Sequence, residues 1–166
     1  MKTNFRKIIP LIIFSLPLGF CAVAPSISNA ELRIIDADTI ELHGEKIRFS
    51  GIDAPEINQF CRNAQNQEYK CGLTASRSLE DLIAQYSGSQ VTCSQSGKDF
   101  FDRVLAECFI GHININSWLV SNGWALAYRK YSPAYVGEEQ SAQESSKGLW
   151  QGEFVKPWDW RRGVRL

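Results

Sequence analysis

Lys46-Ile47-Arg48-Phe49-Ser50-Gly51-Ile52-Asp53-Ala54-Pro55-Glu56 is the stretch whose reading decides the fold. Alternate residues of a strand face opposite sides, so Ile47 and Phe49 share an apolar face and Arg48 points away from it. The pattern predicts a strand over Lys46–Ile52. Pro55 then ends it, because proline donates no ladder hydrogen bond, and Asp53 and Glu56 are left at the strand's end.

Working backwards, His43-Gly44 is a turn signal, Thr39–Leu42 the preceding strand, and Leu32–Ile35 a strand that runs into Asp36-Ala37-Asp38. Working forwards, a polar loop covers Asn58–Lys70. Leu79, Leu82 and Ile83 recur at helical spacing within a helix predicted over Leu73–Tyr86, where Thr74 is a candidate cap. Gln90–Ser94 and Val104–Ile110 read as strands joined by the polar segment Ser94–Asp102. Gly111-His112 is a second turn. A short helix is predicted over Ile115–Ser121, capped by Asn114 and stopped by Gly123, and a polar helix over Tyr135–Ser146. Strands, an inserted helix, two more strands and then helices is the order of an α+β domain that is mainly β: a five-stranded OB-fold β-barrel with about three helices.

The first thirty residues stand apart. Lys2, Arg6 and Lys7 precede an apolar run from Ile8 towards Ala24, and Ser28-Asn29-Ala30 places small residues where a signal peptidase cuts. Residues 1–30 are therefore read as a cleaved signal peptide, and 31–166 as one exported domain, periplasmic or secreted, with no stable membrane association. Phe20 before Cys21 argues against a lipoprotein. From residue 31 onwards fifteen Lys and Arg face eighteen Asp and Glu, a formal charge of −3. That excludes a broad basic field, so any nucleic-acid contact must be local.

Four cysteines remain: Cys61, Cys71, Cys93 and Cys108. An even number in an exported domain points to two disulfides, and of three connectivities Cys61–Cys71 with Cys93–Cys108 is preferred, the second pair flanking a hairpin almost symmetrically. No Cys-x-x-Cys pair is present to hold zinc.

Asp38, Arg48, Asp53, Glu56 and Arg103 form the candidate site. Two aspartates near strand ends suit a hard cation such as Ca²⁺ or Mg²⁺, although strand-end aspartates commonly just cap turns. Arg48 and Arg103 have the planar fork that grips phosphate oxygens. The bland alternative for Arg103 is a cross-strand ion pair with Glu107 or Asp102. Glu56 could orient or deprotonate a water, or be an exposed loop glutamate. Tyr128 and Tyr131 could stack on a base or simply pack. His43 and His112 belong to turns, and Trp118, Trp124 and Trp150 to packing.

Ile35-Asp36-Ala37-Asp38-Thr39, the Ile47–Glu56 stretch, Asp99 through Ala106, Gly123-Trp124-Ala125 and Gly148-Leu149-Trp150 together resemble the staphylococcal nuclease (thermonuclease) family over nearly all of 33–160. The resemblance implies an OB barrel and a Ca²⁺-dependent endonuclease acting on DNA and RNA; the chain is expected to be a monomer. It implies that Asp38, Asp53 and the backbone carbonyl of Ala54 bind calcium, that Arg48 and Arg103 bind the scissile phosphate, that Glu56 handles the water, and that Tyr128 and Tyr131 fall near a base. The chain departs from the family at Phe100, Phe101 and Asp102, where a basic residue, Tyr and Gly are frequent. Asp102 so placed could pair with Arg103 or repel substrate, and the missing glycine could alter the turn that aims Arg103.

Overall fold

The computed structural model describes residues 31–166, so the signal-peptide reading of residues 1–30 lies outside it. The main sheet runs β1 (Leu32–Asp36), β2 (Thr39–Leu42), β3 (Glu45–Phe49), β8 (Val104–Ile110), β7 (Val91–Lys98), five strands in that spatial order, with β9 (Ile113–Asn114) added to β8. All neighbours are antiparallel except β3 and β8. The sheet is not hydrogen-bonded into a closed barrel, and the arrangement is OB-like. Two short pairs complete it: β4 (Ile52–Asp53) with β10 (Leu126–Ala127), and β5 (Cys61–Arg62) with β6 (Glu68–Tyr69).

The three expected helices are α1 (Cys71–Gln85), α2 (Ile115–Ser121) and α3 (Val136–Glu144); a short α4 (Pro157–Trp160) lies in the tail. β8 alternates perfectly: Val104, Ala106, Cys108 and Ile110 are buried, and the residues between them are not. They join Ile40, Ile47, Phe49, Leu79, Leu119 and Val120 in one core. A second cluster of Cys61, Cys71, Leu126 and Leu149, with Trp150, Phe154 and Trp158 packed on it, anchors the tail. Both disulfides have the preferred connectivity, and Cys93 and Cys108 sit directly opposite each other across β7 and β8.

Four local expectations are corrected. The strand predicted over Lys46–Ile52 breaks at Gly51, whose φ of +76° is a conformation L side chains rarely adopt; the chain turns there and β4 pairs with β10 instead. α1 begins two residues early, because Cys71 is bridged to Cys61 and Gly72 lies against the loop: a Cβ there would come within 1.8 Å of the Glu56 carbonyl oxygen. Its cap position is Lys70, and Thr74 lies inside the helix, its hydroxyl donating to the Lys70 carbonyl. β7 extends to Lys98 through the segment read as a polar connection. Its residues from Ser94 onward are solvent-facing, so no apolar alternation marked them as strand. Asn114 does cap α2, accepting from the Ser117 N–H.

Candidate active site

The floor of the site is built by three backbone devices. A register shift between Ile34 and Asp36 interrupts the β1–β2 ladder, as a β-bulge does, and Asp38 becomes buried at 2% exposure. β2 and β3 register Thr39 opposite Arg48. The turn at Gly51 returns Asp53, fully buried, towards both. Arg48 then bridges the aspartates: Nη1 donates to Asp38 Oδ1 at 2.6 Å and Nη2 to Asp53 Oδ1 at 2.5 Å. Asp38 Oδ2 accepts from the Ala54 N–H at 2.7 Å, and Oδ1 also accepts from the Thr39 hydroxyl.

Glu56 follows in the loop. Gln59, wholly buried, holds that loop: its N–H donates to the Glu56 carbonyl, its Oε1 accepts from the Glu56 N–H, and its Nε2 donates to the Val155 carbonyl at 2.6 Å. The tail is thereby tied to the site. Arg161, just after α4, donates to Glu56 Oε1 and to Asp53 Oδ2, each at 2.7 Å. Nothing in the sequence alone singles out Arg161 or Gln59. Arg161 lies 108 residues from Asp53, in an aromatic and basic tail with no periodicity to read.

Arg103 comes from the β7–β8 turn and lines the same open cleft, of about 1240 Å³, as Asp36, Arg48, Glu56, Tyr128, Tyr131 and Arg161. Its partner is neither Glu107 nor Asp102. Its Nε donates to Asp99 Oδ2 at 2.7 Å, and its N–H donates to Asp99 Oδ1 at 3.0 Å. Asp102 pairs with Lys98 at 2.9 Å and adopts φ +61°, the conformation a glycine would take, so the turn survives the loss of glycine. Glu107 accepts from the Tyr135 hydroxyl and from Asn114 Nδ2. Tyr128 stacks flat on Trp158, with centroids 5.4 Å apart, and the exposed Tyr131 meets Tyr128 edge-on.

Burial, and then the neighbouring Asp38 carboxylate, push Asp36 up to about 7. Burial also raises Asp53 above the usual carboxylate range, although its hydrogen bond from Arg161 opposes this. Burial works against the charge on Arg48, yet Asp38 and Asp53 outweigh it and hold its pKa above the ordinary value. Asp36, Asp38, Asp53 and Glu56 face Arg48 and Arg161, a formal −2 when all are ionised.

Among the described residues no three His, Cys, Asp or Glu side chains converge closely enough to enclose an ion by themselves. The two buried carboxylates, hard anionic oxygens in a locally negative site, nevertheless have the chemistry that one hard divalent cation takes. All four oxygens of Asp38 and Asp53 already accept hydrogen bonds; Asp38 Oδ1 accepts two, and the other three each retain a second lone pair.

A model of the family described as staphylococcal nuclease homologue matches residues 46–152. The chain is 30% identical over 135 residues to succinoglycan biosynthesis protein ExoI of Rhizobium meliloti, covering 80% of this chain and 68% of that one. It is 32% identical to an uncharacterized endonuclease of Haemophilus influenzae, covering 81% and 73%, and 30% identical to a micrococcal nuclease of Shigella flexneri, covering 81% and 80%. The chain belongs to the staphylococcal nuclease homologue family.

Proposed function

We propose that this chain is an exported, monomeric, Ca²⁺-dependent endonuclease that hydrolyses phosphodiester bonds of DNA, RNA or both. The observation that carries the reading is one open cleft lined by Arg48, Arg103 and Glu56 above the buried Asp38–Asp53 pair. Relatives named nuclease and endonuclease support the reaction class. The two disulfides fit export, and no helix of the described residues is long and apolar enough to cross a membrane.

Asp38, Asp53 and the Ala54 carbonyl would hold the cation, which when bound supplies Lewis-acid stabilisation of charge on the phosphate oxygens. Arg48 and Arg103 grip the scissile phosphate and stabilise the charge that develops as the bond breaks. Arg48 is pre-positioned by Asp38 and Asp53, and Arg103 by Asp99. Glu56 orients the attacking water and takes its proton, through Oε2 while Arg161 holds Oε1, or through either oxygen once Arg161 lets go. Tyr128 and Tyr131 offer rings to a nucleotide base at the rim.

The deciding assay incubates oxidised protein lacking residues 1–30 with DNA and with RNA, in Ca²⁺ and in chelator. Cleavage that chelator abolishes is the expected result, and no cleavage with any divalent metal would overturn the proposal. The second reading, a catalytically weak or inactive module binding nucleic acid or protein, is favoured by one observation, the occupation of Glu56 and Asp53 by Arg161. Binding without cleavage would establish it.

A further inference from the structure

A second groove, of about 780 Å³, opens beside the catalytic cleft and shares Tyr128 and Arg161 with it. Charge is concentrated there against the trend of the chain. Arg129, Lys130, Lys156, Arg161 and Arg162 line it against a single lining carboxylate, Glu139. Arg129 spends its charge on Glu139, and Arg162 pairs with Asp159. Arg161 reaches into the catalytic site. Lys130 and Lys156 instead lie over aromatic rings, 5.3 Å from the Tyr131 centroid and 5.6 Å from the Trp158 centroid. The parallel Tyr128–Trp158 pair adds an aromatic wall.

A cationic track combined with aromatic rings is what a single strand of nucleic acid requires. The phosphates need diffuse positive charge, and unpaired bases offer faces to rings without regard to sequence. We propose that this groove is a strand-binding site for the single-stranded nucleic acid flanking the scissile phosphate, entering from the catalytic cleft past Tyr128 and Arg161. The inference rests on the nuclease reading above. It also explains how a domain of formal charge −3 would capture a polyanion, since attraction is confined to the channel that leads to the site.

The test combines Lys130→Ser, Lys156→Ser and Arg162→Ser, all at exposed positions. Binding is measured with labelled oligothymidylate of twelve nucleotides in chelator, where cleavage cannot intervene. The triple variant is expected to bind about tenfold more weakly, with a salt slope shallower by about 2, from roughly 0.7 per phosphate contact on single strands. In cleavage, kcat/KM should fall about tenfold on the twelve-nucleotide strand, carried in KM, and at most about twofold on a dinucleotide. Unchanged affinity and salt slope would overturn the proposal, as would equal losses on long and short substrates. Tighter binding of a duplex than of the single strand through these three residues would overturn it too. If neither protein cleaves anything, the nuclease reading fails, and the binding arm still decides the groove. A melting temperature equal to that of the parent confirms that the variant is folded, and Lys156→Gln alone, with a proportionate loss, serves if the triple variant is not.

Discussion

The two arginines of the cleft are held in opposite ways. Arg48 sits mid-strand with its side chain 14% exposed, clamped by Asp38 from the β1–β2 bulge and by Asp53 from β4. Arg103 is 27% exposed and is held within its own turn by Asp99, four residues away. The first guanidinium is part of the interior and stabilises the fold as well as the site. The second is aimed by a local loop that could be rebuilt without disturbing the sheet. Similar chemistry therefore carries different structural costs at the two positions.

Arg48→Ala and Arg103→Ala are the strongest way to break that contrast. On the proposed function, each is expected to lower kcat/KM by about a thousandfold, because each would remove a charge that stabilises the developing transition state. Only Arg48→Ala should also reduce stability substantially, by about 3 kcal/mol in metal-free urea denaturation, because it leaves two buried carboxylates without their shared cation. Arg103→Ala should stay within about 1 kcal/mol of the parent. Equal destabilisation would erase the distinction. Glu56→Gln supplies the control: a rate loss of about 10²- to 10⁴-fold with little change in stability, since Glu56 is only partly buried.

Arg161→Ala sharpens the interior side of the comparison. It removes a positive charge 2.7 Å from Asp53 Oδ2 and frees that oxygen. Calcium affinity, measured by titration without substrate, is expected to rise about tenfold, or roughly 1.4 kcal/mol. Weaker calcium binding would show that Arg161 organises the carboxylates rather than competing for them.

Asp99→Ala addresses the loop side. Asp99 holds both the Arg103 guanidinium and the backbone of the turn, so activity should fall about tenfold while stability changes by less than about 1 kcal/mol. Burial opposes ionisation of Asp99, but its hydrogen bonds from Arg103 win and hold its pKa below the ordinary carboxylate value. Its stabilising contribution is therefore complete above that ordinary value and is lost as pH falls through the still lower folded-state pKa. The aim of Arg103 should persist at neutral and mildly acidic pH, as pH-dependent cleavage by the parent and by Asp99→Asn would show.

What was legible in the sequence divides along the same line. Strand alternation announced Ile47, Arg48 and Phe49, and the buried alternation of β8 placed Val104–Ile110, because both segments lie against the core. The bridge between Cys93 and Cys108 followed from a hairpin whose two strands are otherwise simple. The outer half of β7 carries no strand signal because its polar residues face solvent. Arg161, Gln59 and Trp158 are illegible for a different reason. Their contacts span roughly a hundred residues in two cases and arise where the tail packs on a second small core, and no periodic pattern encodes such a meeting. Asp99 is not distinguishable in the sequence from Asp102 and Glu107 as the partner of Arg103, since only the turn's closure shows which carboxylate faces it.

The smallest expected effect belongs to Asp102→Gly. Asp102 already adopts the left-handed conformation that glycine prefers, so the substitution relieves a little backbone strain. It also removes an exposed partner of Lys98 and makes the unfolded chain more flexible, which opposes that gain. The melting temperature is expected to move by less than about 2 °C. Removing one negative charge beside Arg103 should lower KM about twofold at low salt, and added salt should erase the gain, because the charge is exposed to screening. A rise in kcat beyond about tenfold would mean that the turn in this chain aims Arg103 poorly and that glycine corrects it. An unaltered kcat with the small, salt-sensitive gain in KM would show that the loop tolerates the aspartate because Asp99, and not residue 102, sets the direction of the guanidinium.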